Sequence, residues 1–321
     1  MIYYFAAKKK RMAIQSSNRI LMVRPANFGF NKETAKNNAF QNASAAAKLK
    51  NVNAKARTEF DRFVKKLRAE GIHVDIWEDK AKPIKPDAIF PNNWISFHQD
   101  HSIGLYPMYA PSRRKERDPI IISWIKNQFS IDKVFDFTSY EKEGIFLEGT
   151  GSLILDRVNK IAYACLSPRT HDALMDRFCA RFGYQKMVFQ SVDQHGTDIY
   201  HTNVMMAMGN SFVVICKESI PNEKEWDSLE KQFKKNKKDI VNISWKQLNQ
   251  FAGNMLLLQD GEGANVIVMS TRAYKSLSPA QKKQLKKHGK ILHSDIKTIE
   301  DLGGGSVRCM MAEVFLTPKN Y

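Results

Sequence analysis

The sequence predicts an α/β protein built from a recurring unit of strand, hairpin, strand, helix and strand. Short apolar runs alternate with longer amphipathic stretches along the chain. From residue 145 onward, three consecutive units of about fifty residues share this plan. Looser copies occupy residues 20–78 and 86–140, so that about five units can be counted with the C-terminal strand. Units presenting strands and one outer helix can close into a ring with their strands facing a central axis. An ordinary open α/β sheet satisfies the same local pattern.

Residues 19–24 (RILMVR) read as a buried strand ended by Pro25. A loop rich in Asn follows, and residues 43–70 read as one long helix. Its Leu49, Phe60, Phe63, Val64 and Leu67 fall near helical spacing, with Gly71 at its end. IHVDIW is the next strand. In the second unit, AIFPNNWISFH and SIGLYPMYAP precede a helix over RRKERDPIIISWIKNQF and the strand KVFDF. The third unit runs IFLEGTGSLILD, KIAYACLS, a helix from PRTHDALMDRFCARFG and the strand KMVFQSV. The fourth runs IYHTNVMMAMG, SFVVICKES, EKEWDSLEKQFKKN and DIVNIS. The fifth runs NMLLLQDGEGANVIVMST, SPAQKKQLKKHG and KILHSD. Ser167 and Ser278 each precede a proline, the pairing expected of an N-cap followed by the first helical residue.

At 321 residues and 43% hydrophobic, the chain is long enough for a sizeable core. Residues 19–321 are expected to form a single domain, and residues 1–18 a disordered N-terminal extension. Met12 opens a more ordinary sequence than the eleven residues before it, so a misassigned start is a second reading. MIYYFAAKKKRM has the wrong order and length for a secretory signal. No apolar run approaches the roughly 20 residues that span a bilayer. Four cysteines without metal-ligand spacing point to a cytoplasmic protein with free thiols. The net charge of +17 invites a nucleic-acid reading, but the lysines are dispersed and cluster only on polar helical stretches. They read as solvated faces of a protein that binds neither nucleic acid nor membrane, while the positive field favours a carboxylate-bearing substrate.

The chemistry concentrates in a few places. Gly303, Gly304 and Gly305 precede Cys309, which opens an apolar run and so can point into a cleft; a buried structural thiol fits as well. Glu148 lies beside two glycines at the start of a strand. His201 and Asn203, two apart, would share one strand face. A lone His or Glu in a strand is usually hydrogen-bonded scaffold. At equivalent places in a repeating architecture, however, Cys, His and Glu form a nucleophile, acid/base and orienter set.

Six segments, taken together, resemble the guanidino-group-modifying (pentein) superfamily of arginine deiminases, dimethylargininases and amidinotransferases. They are D-A-I-F-P-N-N (87–93), A-P-S-R-R-K-E (110–116), L-E-G (147–149), S-P-R-T (167–170), H-T-N (201–203) and G-G-G-S-V-R-C (303–309). The resemblance covers about residues 19–317 and implies a five-bladed α/β propeller of ββαβ repeats with pseudo-fivefold symmetry. It implies Cys309 as nucleophile, His201 as acid and then base, and Glu148 as orienter of the imidazole. It places Arg113 and Arg169 on the substrate carboxylate, with Arg114 as substitute for Arg113, and Asp87 on the amino end. The lowered thiol pKa such chemistry needs would come from a charged His201, backbone N–H groups or bound substrate. The implied reaction needs no metal or organic cofactor. The partner is a small amino-acid substrate, and a homo-oligomer stays open.

The departures from the family pattern bear on the substrate. Asn92, Asn93 and Asn203 stand where relatives carry acids. A guanidinium offers only donors, so carboxylates suit it, whereas a carboxamide pairs with either edge of a neutral urea. With F-G-F-N and F-P-N-N-W, this pattern is similar to the citrulline-utilisation hydrolases and predicts citrulline hydrolysis to ornithine, CO2 and ammonia. Arginine deiminase, dimethylargininase-like and amidinotransferase activities are the alternatives. A ring that kept its fold, lost its chemistry and binds RNA through its positive charge is the rival from another class. Residues 25–40 read either as a lid over the site or as a packed loop.

Overall fold

The structure is a computed structural model that describes residues 13–44 and 49–319. Among these residues, fifteen strands form five three-stranded sheets. Four of the sheets are built from consecutive chain. One comprises β3 (Ile95–Phe97), β4 (Ser102–Leu105), helix α2 (Pro119–Gln128) and β5 (Lys133–Asp136). The next comprises β6 (Ile154–Asp156), β7 (Ile161–Cys165), α3 (Asp172–Phe182) and β8 (Gln185–Phe189). Then come β9 (Met206–Met208), β10 (Phe212–Ile215), α4 (Glu223–Lys235) and β11 (Asp239–Asn242). The last comprises β12 (Leu256–Gln259), β13 (Asn265–Ser270), α5 (Pro279–Lys286) and β14 (Lys290–Ser294). In each, the first strand is antiparallel to the middle one. The third is parallel to it, after a helical crossover.

The remaining sheet joins the two ends of the chain. Here β1 (Arg19–Arg24), α1 (Val52–Ala69) and β2 (His73–Glu78) supply the parallel pair. The antiparallel strand is β15 (Ala312–Glu313), which follows α6 (Lys297–Gly303) and pairs Ile20 with Glu313 and Leu21 with Ala312. Five sheets of one plan fit a pseudo-fivefold arrangement. The first strands β15 and β3, β6 and β9, and β9 and β12 are neighbours. A single cleft is lined by Ile154, Ala207, Leu256 and Glu313, from β6, β9, β12 and β15.

The middle strands are apolar because they are covered on both faces. IAYAC and FVVI are wholly buried. The crossover helices bury one stripe each: Ala56, Phe60, Phe63, Val64 and Leu67 on α1, and Trp226, Leu229 and Phe233 on α4. Among the described residues, no helix is long and apolar enough to cross a membrane.

Some local expectations change. The helix expected from residue 43 has its regular run from Val52, after Asn51 at φ 55°. The helix expected over residues 113–129 is split into a turn, Pro111–Arg114, and α2, which Asp118 caps at Ile120 N–H. Ser278 caps α5 with Pro279 in the first turn, and a reciprocal bond to Gln281 completes a capping box. Ser167 caps nothing. Its hydroxyl donates to Tyr200 O at 2.9 Å and accepts from Arg169 N–H at 3.1 Å, folding 167–170 into a tight turn, and α3 begins only at Asp172. Residues 1–12 of the expected extension lie outside the described residues. Residues 13–18 do not share its expected disorder: Gln15, Ser16 and Ser17 are buried. Gln15 Nε2 donates to Leu155 O at 2.7 Å and Ser17 Oγ to Val314 O at 2.5 Å, tying this stretch to two sheets.

Candidate active site

The site is assembled from the short turns that enter the first strand of each sheet. Pro91–Asn93 leads into β3, Gly149–Ser152 into β6 and Thr202–Met205 into β9. Bonds from Asn254 N–H to Phe251 O and from Cys309 N–H to Ser306 O close the corresponding turns before β12 and β15. Glycine is required where these turns meet. At Gly149, with φ 46°, a Cβ would fall 2.4 Å from Asn92 O. At Gly151 it would fall 2.3 Å from Asn93 Nδ2 and 2.8 Å from His201 Nδ1.

Glu148 and His201 therefore precede helical turns instead of sitting on strands. His201 is extended, but Thr202–Met205 is helical, so His201 and Asn203 do not share a strand face as expected. They diverge to different partners. His201 Nε2 lies 2.8 Å from Glu148 Oε2, while Asn203 Nδ2 donates to Cys309 Sγ at 3.3 Å.

Asp87, Asn93, Arg113, Arg169, His201 and Cys309 line one small cavity. Glu148 stands behind His201, and Asn203 lies against the sulfur. Asn92 is the exception. It is fully buried, neither of its side-chain polar atoms has a partner, and it does not line the cavity.

Glu148 is 0% exposed. Burial opposes its ionisation, but Arg169 at 3.6 Å, His201 and Arg113 at 4.0 Å overcome that and hold its carboxyl at about 2. Its other oxygen accepts from Tyr109 N–H at 2.9 Å. His201 goes the other way. Burial pushes it down to about 4, Glu148 offsets part of this, and the two guanidinium groups add to it. At neutral pH the imidazole is thus neutral beside an ionised carboxylate. A carboxylate only accepts, so Nε2 carries the proton and Nδ1 keeps the lone pair.

Both arginines are already engaged. Arg113 meets Glu116 through two bonds of 2.9 Å, donates to Asn93 Oδ1 at 2.7 Å and to Phe90 O at 3.1 Å. Of its five N–H groups, these leave one on Nη1. Arg113 lines the cavity as expected, but Glu116, Asn93 and Phe90 hold most of its guanidinium, so in this conformation it keeps a single donor for a substrate carboxylate. Burial raises Glu116 to about 7, with Arg113 opposing. Arg114 is no substitute, since it does not line the cavity and bonds Met108 O at 3.0 Å. Arg169 donates to Asn37 Oδ1 and Thr34 O and lies 4.8 Å from the centre of the Tyr200 ring.

Asn37 and Thr34 belong to the loop left open between lid and packed segment. In this conformation the loop is packed. Asn31 Nδ2 and Thr34 Oγ1 donate to Asp87 Oδ2 at 2.7 and 3.3 Å. Asn38 and Gln41 bond the carbonyls of Gly304 and Leu302. Asp87 Oδ1 stays without a partner, as do Asn37 Nδ2, Asn93 Nδ2 and Asn203 Oδ1. Of these, Asp87 and Asn93 line the cavity, where a ligand's polar groups can meet their unpaired atoms.

Sequence reasoning missed Asn254, Tyr200 and Asn37. Asn254 Nδ2 donates to Cys309 Sγ at 3.4 Å, and Tyr200 OH donates to Gly304 O at 2.5 Å. Aligning the turns before the first strands would have exposed Asn254; nothing local marks the other two. Among the described residues, no group of three or more His, Cys, Asp or Glu is placed to hold a metal.

The family described as "N,N dimethylarginine dimethylhydrolase, eukaryotic" matches residues 24–316. The chain belongs to this family. No curated protein sequence matches it. ArgZ, an arginine dihydrolase from the ornithine–ammonia cycle in cyanobacteria, superposes with a TM-score of 0.73 at 16% identity, over 92% of this chain and 40% of that one. AgrE, in a ternary complex with ornithine and NAD+, gives 0.73 at 16% identity over 94% and 40%. The dimethylarginine dimethylaminohydrolase adduct with S-methyl-L-thiocitrulline gives 0.62 at 14% identity over 92% and 98%. The chain thus spans about 40% of the full-length ArgZ and AgrE chains. At these identities the likeness shows the fold that the dimethylarginine hydrolase family member shares with them.

Proposed function

We propose that the chain hydrolyses a guanidino C–N bond of an arginine-type amino acid, with Cys309 as nucleophile. One observation carries this reading: Cys309 and the His201–Glu148 pair open on one cavity with Arg169 and Asp87. The family points the same way, as does the chemistry named for ArgZ and the dimethylarginine hydrolase.

The neutral imidazole sets the order of proton transfers. Of the three expected sources of a reactive thiol, a charged His201 gives way in this reading to a neutral base that takes the proton of the Cys309 thiol as sulfur attacks the guanidino carbon. Glu148 stabilises the imidazolium so formed. Sulfur–carbon bond formation gives a tetrahedral centre. The C–N bond then breaks, and the imidazolium protonates the departing ammonia or alkylamine. Water, deprotonated by the regenerated imidazole, adds to the thio-bound carbon, and the carbon–sulfur bond breaks to release the ureido product and the thiol. The net change is arginine and water to citrulline and ammonia.

A second reading keeps the machinery and takes a ureido substrate, citrulline, to ornithine, CO2 and ammonia. Carboxamides at Asn93, which lines the cavity, and Asn203, which lies against the sulfur, favour it, and Asp87 is the one carboxylate among the cavity-lining residues. A panel of arginine, N-methylated arginines, citrulline and agmatine, assayed for ammonia, methylamines, citrulline and ornithine, tests both. The expected result is turnover of arginine or a methylated arginine that vanishes in Cys309→Ala. Turnover of citrulline alone selects the second reading, and full activity in Cys309→Ala overturns both.

A further inference from the structure

We propose that Asn254 is a catalytic residue, whose side-chain amide donates a hydrogen bond to Cys309 sulfur and favours the thiolate over the thiol. The proposal rests on the reading of Cys309 as nucleophile and adds a group from the one sheet that otherwise contributes nothing to the site.

The amide of Asn254 has a fixed orientation. Its Oδ1 accepts from Arg308 N–H at 3.0 Å. A backbone N–H can only donate, so the atom facing it is oxygen and the nitrogen must point the other way. Asn254 Nδ2 then donates to Asn203 O at 2.8 Å and to Cys309 Sγ at 3.4 Å. Asn203 Nδ2 also reaches the sulfur, but its own Oδ1 has no partner, so nothing on that side fixes which end of the amide faces Cys309. Asn254 is therefore the donor whose polarity the fold dictates.

The surroundings prevent the amide from swinging away. Asn254 is fully buried. At neighbouring Gly253, a Cβ would fall 2.4 Å from Val204 O, so the turn before β12 is pressed against the turn before β9. Asn254 thereby ties three turns together: its own, that of Asn203 and that of Cys309. A donor aimed at sulfur gains strength when sulfur is negative, because a hydrogen bond to an ionised acceptor is roughly twice as strong as one to a neutral acceptor. Its contribution is greatest while sulfur is the attacking or departing thiolate. It is least while sulfur is bound to carbon.

The test is alkylation of Cys309 by iodoacetamide as a function of pH, with the modified residue identified by mass spectrometry. In Asn254→Asp, the oxygen facing Arg308 N–H is kept and a carboxylate oxygen replaces the N–H facing sulfur. The expected result is an alkylation curve moved to higher pH by about one unit or more, with kcat lowered roughly ten- to hundredfold. Where the Asp variant fails to fold, Asn254→Ala removes the donor without adding charge, and the same upward displacement is expected. Curves that superpose on that of the native protein in the folded variant overturn the proposal. Failure of the underlying reading looks different: Cys309 of the native protein would resist alkylation, or its modification would leave turnover intact.

Discussion

His201 Nε2 and Glu148 Oε2 are 2.8 Å apart, and both side chains are shut away from solvent. The carboxylate fixes the tautomer and offsets the charge the imidazole acquires when it takes a proton. Glu148→Gln keeps the shape and removes the charge. Its kcat should fall roughly 10²- to 10⁴-fold, with a circular-dichroism melt that still shows a folded protein. A loss confined to KM would assign Glu148 to binding.

The same pair sets an acid limb. His201 is held at about 4, below its value in an unfolded chain, so the unfolded state binds more protons between the two values. The stability it contributes is present above roughly 6.5 and is lost as pH falls through that window. Glu148, at about 2, adds a loss of the same sign at lower pH. The acid limb of kcat/KM that reports His201 should therefore lie near pH 4. A His201 limb near 6.5, abolished in His201→Asn, would contradict a neutral resting imidazole.

Glu300 has the opposite sign. It is buried beneath the glycine loop, accepts from Ser306 Oγ at 2.7 Å and lies 3.1 Å from Arg272. Burial raises it to about 7, with Arg272 opposing. The folded state binds the extra proton, so this contribution is present at low pH and is lost as pH rises through 7. Glu300→Gln should flatten the unfolding free energy between pH 5 and 8 by on the order of 1–3 kcal/mol. Chemical denaturation at the two pH values measures it.

Gly151 has no room for a methyl group. A Cβ there would meet Asn93 Nδ2 and His201 Nδ1, both in the site. Gly151→Ala should lower kcat by about 10²-fold, since an ångström of misplacement carries that cost, and lower the melting temperature only modestly. Unchanged kcat would mean the turn relaxes away from the imidazole.

Asn93 presents Nδ2 without a partner, while its Oδ1 takes a bond from Arg113. Asn93→Asp keeps the Arg113 contact and adds an acceptor and a charge. The ratio of kcat/KM for arginine to that for citrulline should rise roughly ten- to hundredfold. A constant ratio would remove Asn93 from substrate discrimination.

The architecture was legible wherever the signal was local. IAYAC and FVVI announce buried strands, and Ser278-Pro279 announces a capped helix. The same Ser-Pro pair at 167 misled because the Ser167 hydroxyl is claimed by Tyr200 O from another unit, a contact that no local rule supplies. Cys309, Glu148 and His201 stood out through glycine neighbours and motif spacing. Asn254 and Asn37 did not, since each is an isolated amide whose meaning comes from a distant partner: Arg308, 54 residues on, and Arg169, 132 residues on.

Cys309 comes last in chain order among these groups, three residues before β15, the strand that docks on β1. During synthesis the imidazole, carboxylates and guanidinium groups all emerge ahead of the sulfur. The sulfur is placed beside them by the pairing of β15 with β1, which are about 290 residues apart in the chain. The pairing that completes this sheet is therefore also what carries the sulfur to the imidazole's side of the cavity.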